Sequence, residues 1–476
     1  MGLLDRFRSD EDQSQKVAFI GIDGVPKSLL TDLIEDGRLP NIERISGGDI
    51  DSMNAVVPPE SSACWPAMTT GTNPGKTGVL GFQERERGSY DTYIPLGKHV
   101  KSKRVWDVVG DSGRRSVVSN VPVTFPPEEI DGTMVSGFLT PEIESVSNDP
   151  EVVEYLKSID YRVDVDASLG HDDKEEFIRN ARETLDARAE ALYHFIENED
   201  WSLLWHVFMA TDRVNHFLWE NYEEGDQLGD EFVEFYERVD EIIGEIRERL
   251  DDDTSMIVAA DHGFCRLEHE IDMNAWLRDE GWQSLDVEAE EGDCEVETSL
   301  ENITDDTKAY SLIPGRFYIN LEGREPRGSV SEDDYDEVRD QLVGMLEDLE
   351  DPDGNEVMEE VYVREEVYEG DEFGITPDVV CVPNRGYDLK ASFGPDKPVY
   401  KKGERNGMHT FDDATLIVDI RESEDSRAHE NESSRDTGDE VEIDADDASI
   451  IDVAPTVLDL MDIDAPDEID GESLVK

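Results

Sequence analysis

Basic residues are scarce in this chain: 43 Lys and Arg stand against 118 Asp and Glu, a formal net charge of −75. A protein that grips a nucleic-acid backbone neutralises its phosphates with a basic face. Only short basic pairs such as Lys401-Lys402 occur, and no lysine lies between Lys174 and Lys308, so backbone binding to nucleic acid is excluded. Cysteine is equally sparse. Cys64, Cys265, Cys294 and Cys381 form no C-x-x-C pair, so neither a disulfide scaffold nor a thiolate zinc site is implied. No stretch approaches the ~20 consecutive apolar residues that span a bilayer, so no membrane segment is expected. The opening Met1-Gly2-Leu3-Leu4-Asp5-Arg6 runs into Ser9-Asp10-Glu11-Asp12 without an apolar h-region, and the expectation is a cytoplasmic protein.

What the chain has in abundance is carboxylate, spread over its whole length. Dense acid of this kind keeps a protein soluble when salt screens its self-repulsion, and the pattern reads as a halophilic surface. Cores still form, because apolar runs such as Val17-Ile20, Met256-Ala260 and Val379-Val382 recur. Three of these runs share a design. Lys16 to Ile22 is a buried-type strand ending in Asp23-Gly24, Ser202 to Ala210 precedes Thr211-Asp212, and Ser255 to Ala260 precedes Asp261-His262-Gly263. Each strand delivers an Asp to its C-terminal end, where ligands of open parallel sheets collect.

The segments Lys174 to Asn198 and Asp230 to Leu250 carry apolar stripes at helical spacing under acidic outer faces, as sheet-covering helices do. The fold expected is α/β: a doubly wound, mainly parallel sheet with a smaller inserted α+β lobe. The expected boundaries are 1–280 for the first part of the core, 281–370 for the lobe and 371–476 for the completing part. Within the last part, 422–447 reads as a mobile acidic loop.

The chemistry-bearing residues are scattered but of one kind. Asp212 and His216 are four apart at the start of a helical run, so both face one point. Asp261-His262 sits at a strand end, where the turn lets neighbouring side chains diverge. His409 lies in the loop Asn406-Gly407-Met408-His409-Thr410. Together with Asp23 they supply the carboxylates and imidazoles that a pair of metal ions ~4 Å apart requires. In Pro58-Pro59-Glu60-Ser61-Ser62-Ala63-Cys64-Trp65-Pro66, a helix is expected to start at the serines. That places a hydroxyl over polarised amide groups, either as nucleophile or as a plain N-cap.

Two other motifs are decoys. Gly71-Thr72-Asn73-Pro74-Gly75-Lys76-Thr77 is one residue short of a P-loop and follows a helix-like stretch instead of a strand. Cys381-Val382-Pro383-Asn384-Arg385 fits the outline of a sulfatase nucleophile but lies late in the chain at a strand end.

The order Ile22-Asp23-Gly24, Ser61 with Thr70-Gly71, Asn73-Pro74-Gly75-Lys76, Asp212-x-x-x-His216, Asp261-His262-Gly263 and Gly407-x-His409 resembles the alkaline phosphatase superfamily. The nearest branch is the type I phosphodiesterase/nucleotide pyrophosphatases. The closing run Ile451 to Leu458, with Asp470-Gly471, is also similar to that superfamily's C-terminal stretch. The resemblance implies two divalent ions, zinc or alternatively manganese. Asp212, His216 and His409 would hold one. Asp23, Asp261, His262 and the Ser61 oxygen would hold the other.

It further implies that Ser61 attacks phosphorus in a small phosphorylated substrate, giving a phosphoseryl enzyme that is then hydrolysed. Ser62 is the alternative if the register is off by one. Two positions depart from the branch: Phe82 stands where an Asn that contacts the phosphoryl oxygen is expected, and Thr77 stands where a His is common. A phosphomutase using the same site, or a catalytically silent metal-binding protein, are the alternative readings. The sequence leaves the oligomeric state open.

Overall fold

The structure is a computed structural model that describes residues 15–286, 299–394, 399–421 and 443–476. Its centre is a seven-stranded sheet. In chain order the strands are β1 (Val17–Ile22), β2 (Asp51–Met53), β3 (Ser116–Ser119), β4 (Gly132–Val135), β5 (Leu203–Phe208), β6 (Ser255–Ala259) and β7 (Ala414–Asp419). Their spatial order is β2-β7-β6-β1-β5-β3-β4. From β6 to β4 all neighbours are parallel, and β7 runs antiparallel to both β6 and β2. Every residue of β1, β5 and β6 is buried, because helices cover both faces of a parallel sheet and leave no solvated side.

The helix Lys174–Asn198 shows how the sequence makes those layers. Phe177, Ala181, Leu185, Ala189, Leu192 and Ile196 are buried at three- and four-residue intervals, and an Asp173 cap accepts from the Glu176 amide at 3.1 Å. The companion helix, Gln227–Arg249, starts three residues before the expected Asp230 because Asp226 caps it through the Gly229 amide at 2.9 Å.

A second, four-stranded antiparallel sheet joins Ala309–Leu312, Arg316–Ile319, Val379–Pro383 and Met358–Val363 in that spatial order. The helix Tyr335–Glu347 buries Leu342 and Leu346 in the same apolar cluster as Phe317 and Ile319. The strand Arg316–Ile319 and the turn after it are fastened to the first part of the chain by buried ion pairs: Arg316 Nη1 meets Glu84 at 3.1 Å, and Arg85 meets Glu325 at 2.8 Å. Of the acidic loop expected at 422–447, residues 422–442 lie outside the described residues. Residues 443–447 differ from the expectation: Ile443 bridges to Val475, and the Asp444 amide donates to Leu474 at 2.8 Å. No helix among the described residues is long and apolar enough to cross a membrane.

Candidate active site

Three neighbouring parallel strands set the geometry. Ile22 pairs with Phe208, and Gly21 with Ala259, so β1, β5 and β6 end at one level and release Asp23, Asp212 and Asp261 into one crevice. Gly24 makes the turn after β1 with φ +64°, and a Cβ there would meet His262 Cε1 at 3.1 Å and Asp212 Oδ1 at 3.4 Å. Glycine is therefore required by both the left-handed backbone and the crowding.

Asp212 and His216 lie on the helix Ala210–Glu224, one turn apart. His409 arrives on the strand Gly407–Thr410, which pairs antiparallel with Gly263–Arg266 and sets His409 opposite Phe264, two residues after His262. Ser61 opens the helix Ser61–Thr70, whose N-cap is Glu60 without a side-chain cap bond. The N-cap alternative is thus corrected: Ser61 is the first helical residue, and its hydroxyl is directed elsewhere.

All seven sequence-selected side chains converge. Asp212 Oδ1 lies 3.3 Å from His216 Nε2 and 3.2 Å from His409 Nε2, and the two imidazole nitrogens are 3.0 Å apart. Three donors around an ion with bonds of ~2.0 Å would be separated by about 3.3 Å in a tetrahedral arrangement, so this trio fits a divalent ion. Donor atoms of Asp23, Asp261 and His262 lie within 4.8 Å of one another, as do those of Asp212, His262 and His409. His262 therefore stands between the two clusters. Ser61 Oγ is 3.2 Å from His262 Nε2 and donates to Asp23 Oδ1 at 3.3 Å.

The tautomers suit the same chemistry. Each histidine turns Nδ1 toward a main-chain carbonyl: His216 to Gly407 at 2.9 Å, His262 to Gly263 at 3.0 Å, and His409 to Pro59 at 3.2 Å. With the proton held on Nδ1, the Nε2 lone pair faces the cluster.

Burial lowers the pKa of His216 and His262, keeping both neutral, the form that binds a cation. Burial, then the neighbouring Asp261 and Asp212 charges, push Asp23 well up, and burial pushes Asp261 up to about 7. Asp261 Oδ2 is buried without a hydrogen-bond partner. Crowded, desolvated carboxylates with an orphaned oxygen are costly alone and are satisfied by a cation.

Sequence reasoning missed the groups that hold the site in shape. Trp65 Nε1 donates to Asp23 Oδ2 at 2.6 Å. Arg213 donates to Asp212 Oδ2 at 3.1 Å and to Asp164 at 2.9 Å, leaving Asp212 Oδ1 for the cluster. Tyr236 donates to Asn215 at 2.8 Å, and Asn215 in turn donates to the Gly24 carbonyl at 2.8 Å. A Trp65→Phe variant keeps the ring and loses only the donor. It is expected to cost about 1–3 kcal/mol of stability in denaturant unfolding and to weaken divalent-ion binding; unchanged values for both would remove Trp65 from the site.

The site opens into a cavity of about 510 Å³. Phe82, at the departing position, lines it with its ring 5.8 Å from that of Phe138, and the Arg213 guanidinium lies 4.7 Å over Phe138.

Both decoys are held in structural contacts. Asn73 caps the one-turn helix Pro74–Thr77 through the Gly75 amide at 2.8 Å, and both its backbone amide and Lys76 engage Asp470. Cys381 is buried in the second sheet with its thiol pushed up by desolvation, and Arg385 pairs with Asp412 at 2.8 Å.

Comparison with known proteins gives the family and the fold. The model of the type I phosphodiesterase / nucleotide pyrophosphatase family matches residues 17–412. No curated protein matches the chain by sequence. Among solved structures, a phosphonoacetate hydrolase from Sinorhizobium meliloti 1021 in complex with phosphonoformate is similar with TM-score 0.58 at 16% identity, over 94% of this chain and 96% of that one. An inactive murine ectonucleotide pyrophosphatase / phosphodiesterase 5 in complex with AMP gives TM-score 0.52 at 13% identity, over 97% and 100%. The human form of that protein gives 0.51 at 13%, over 97% and 100%. At these identities the likeness establishes the alkaline phosphatase-like α/β fold, and the family model establishes membership: the chain belongs to the type I phosphodiesterase / nucleotide pyrophosphatase family of the alkaline phosphatase superfamily, a family of divalent-metal-dependent phosphoester hydrolases.

Proposed function

We propose that the chain hydrolyses a phosphate ester of a small molecule through a phosphoseryl intermediate on Ser61. The observation that carries this reading is the position of the Ser61 hydroxyl, 3.2 Å from His262 and 3.3 Å from Asp23, at the mouth of a crevice lined by carboxylates and imidazoles. Asp212, His216 and His409 would hold one divalent ion, and Asp23, Asp261 and His262, with the Ser61 oxygen, a second. Zinc suits these ligands best, with manganese next. When bound, the ions supply positive charge to the phosphoryl oxygens and acidify hydroxyl and water.

The chain's own groups do the rest. Asp23 accepts the Ser61 hydroxyl hydrogen bond and points Oγ into the cavity. Oγ gives up its proton to Asp23 and forms the bond to phosphorus as the P–O ester bond breaks; the leaving oxygen takes a proton from solvent and departs as an alcohol. Water then splits the phosphoseryl bond, its proton balance closed through Asp23, and restores Ser61. Ile313, Pro314 and Pro383 from the second sheet line the same cavity, which supports a part for that sheet in substrate choice. The acid-rich exterior supports a protein adapted to high salt.

Metal analysis, combined with a panel of chromogenic phosphate mono- and diesters, tests the reading. Turnover abolished by chelation and phosphate released to water is the expected result. Phosphate retained within one product molecule would instead mark a mutase, and no turnover of any ester by the metal-loaded protein would overturn the proposal.

A further inference from the structure

In a chain so rich in carboxylates, a cation without a partner is the anomaly. Every other arginine among the described residues donates a side-chain hydrogen bond or sits in an ion pair; Arg405 does neither. It is half-buried, lies four residues before His409 and lines the cavity that holds Ser61. Two of the acids that line the cavity with it, Asp388 and Glu270, are already taken, and the exposed Glu404 is not paired with it. Lys390 pairs with Asp388 and lies 3.7 Å from Glu270, whose Oε2 also accepts from the Gly403 amide at 2.7 Å. The loop that carries Arg405 is tied to the site, since the Asn406 amide donates to the His216 carbonyl at 2.8 Å.

A half-buried guanidinium that pairs with no carboxylate of its own chain keeps its donors free for an anion that enters the cavity. The scissile phosphoryl group already has its own anchors, the Ser61 hydroxyl and the cations that Asp23, Asp212 and Asp261 would hold, so Arg405, on the loop before Gly407–Thr410, is left for a second anion.

We propose that Arg405 is a specificity residue that pairs with a second anionic group on the substrate, a carboxylate or a phosphate, separate from the scissile ester. This rests on the cavity being a phosphate-ester site, and the test separates the two claims by using ligands that cannot be hydrolysed. Alkyl phosphonates with spacers of about two to six carbons are compared by calorimetry on the protein with its ions. Each is used plain, with a terminal carboxylate, and with a terminal second phosphonate.

On the parent, one terminal anion is expected to improve Kd about 10- to 100-fold over the plain ligand, the scale of a charge-assisted hydrogen bond. In Arg405→Met that gain is expected to fall below about threefold, and in Arg405→Lys to be partly kept. Whichever terminus gives the gain identifies the anion. A gain that persists in Arg405→Met, or no gain from either terminus on the parent, overturns the inference. If no ester is turned over while the Arg405-dependent gain is seen, the hydrolase reading fails and the anion site stands. If esters are turned over without that gain, only the anion site fails.

Discussion

Ser61→Ala is expected to lower kcat by at least about three orders of magnitude, while Ser62→Ala stays within about tenfold of the parent. The two serines are adjacent, but the helix turns them apart. Ser61 is partly exposed to the cavity, within hydrogen-bond reach of Asp23 and His262. Ser62 is 4% exposed, and its hydroxyl interacts with Glu60. The Ser61 variant keeps all three imidazoles and all three carboxylates, so metal content measured on the purified protein should stay close to the parent's. Loss of turnover with metal retained assigns the hydroxyl to the chemistry. The opposite ranking of the two serines, or near-normal turnover by Ser61→Ala, would remove Ser61 as nucleophile.

The second large effect concerns stability without ions. Asp261 is fully buried, Oδ2 has no hydrogen-bond partner, and burial pushes its pKa up to about 7. A carboxylate whose folded pKa lies above its unfolded value of about 3.9 favours the folded state fully only below that lower value. The contribution is lost as pH rises through about 7, because the folded protein must then carry the charge. Metal-free protein is therefore expected to lose stability steadily between about pH 4 and 7.

Asp261→Asn removes the charge and keeps an oxygen for the Gly24 amide, which donates to Oδ1 at 3.2 Å. Under chelation at about pH 8 the variant should be more stable than the parent by a few kcal/mol, with the difference vanishing near pH 4. Adding divalent ions should reverse the order, since the parent gains more binding energy than a variant that lacks one ligand of the second site. Denaturant melts with chelator and with zinc measure both. A chelated variant that is less stable than the parent at pH 8 would contradict the buried-charge account.

Much of the crevice was legible because its residues sit at strand ends and at one-turn spacing. Asp23, Asp212 with His216, and Asp261 with His262 each announce themselves within a few residues of an apolar run, where the period of the backbone decides the direction of a side chain. The helix Lys174–Asn198 was legible for the same reason, its stripe and its Asp173 cap being local. What could not be read depends on partners distant in sequence. The carbonyls of Pro59, Gly263 and Gly407 fix the imidazole tautomers only after packing, and Trp65 reaches Asp23 across 42 positions. Arg213 stood beside a selected residue, yet its grip on Asp164 needs a loop that no periodicity marks. The solitary state of Arg405 is a property of the whole assembled surface, since its meaning lies in carboxylates that elsewhere find partners.

His409 rides on a strand whose register is set against Phe264, and its imidazole closes a cluster begun by Asp212, 197 positions earlier. During synthesis, then, a ribosome-bound polypeptide carries an unfinished centre until that late ribbon emerges and zips into place. Only then are the donors of Asp212, His216 and His409 brought together.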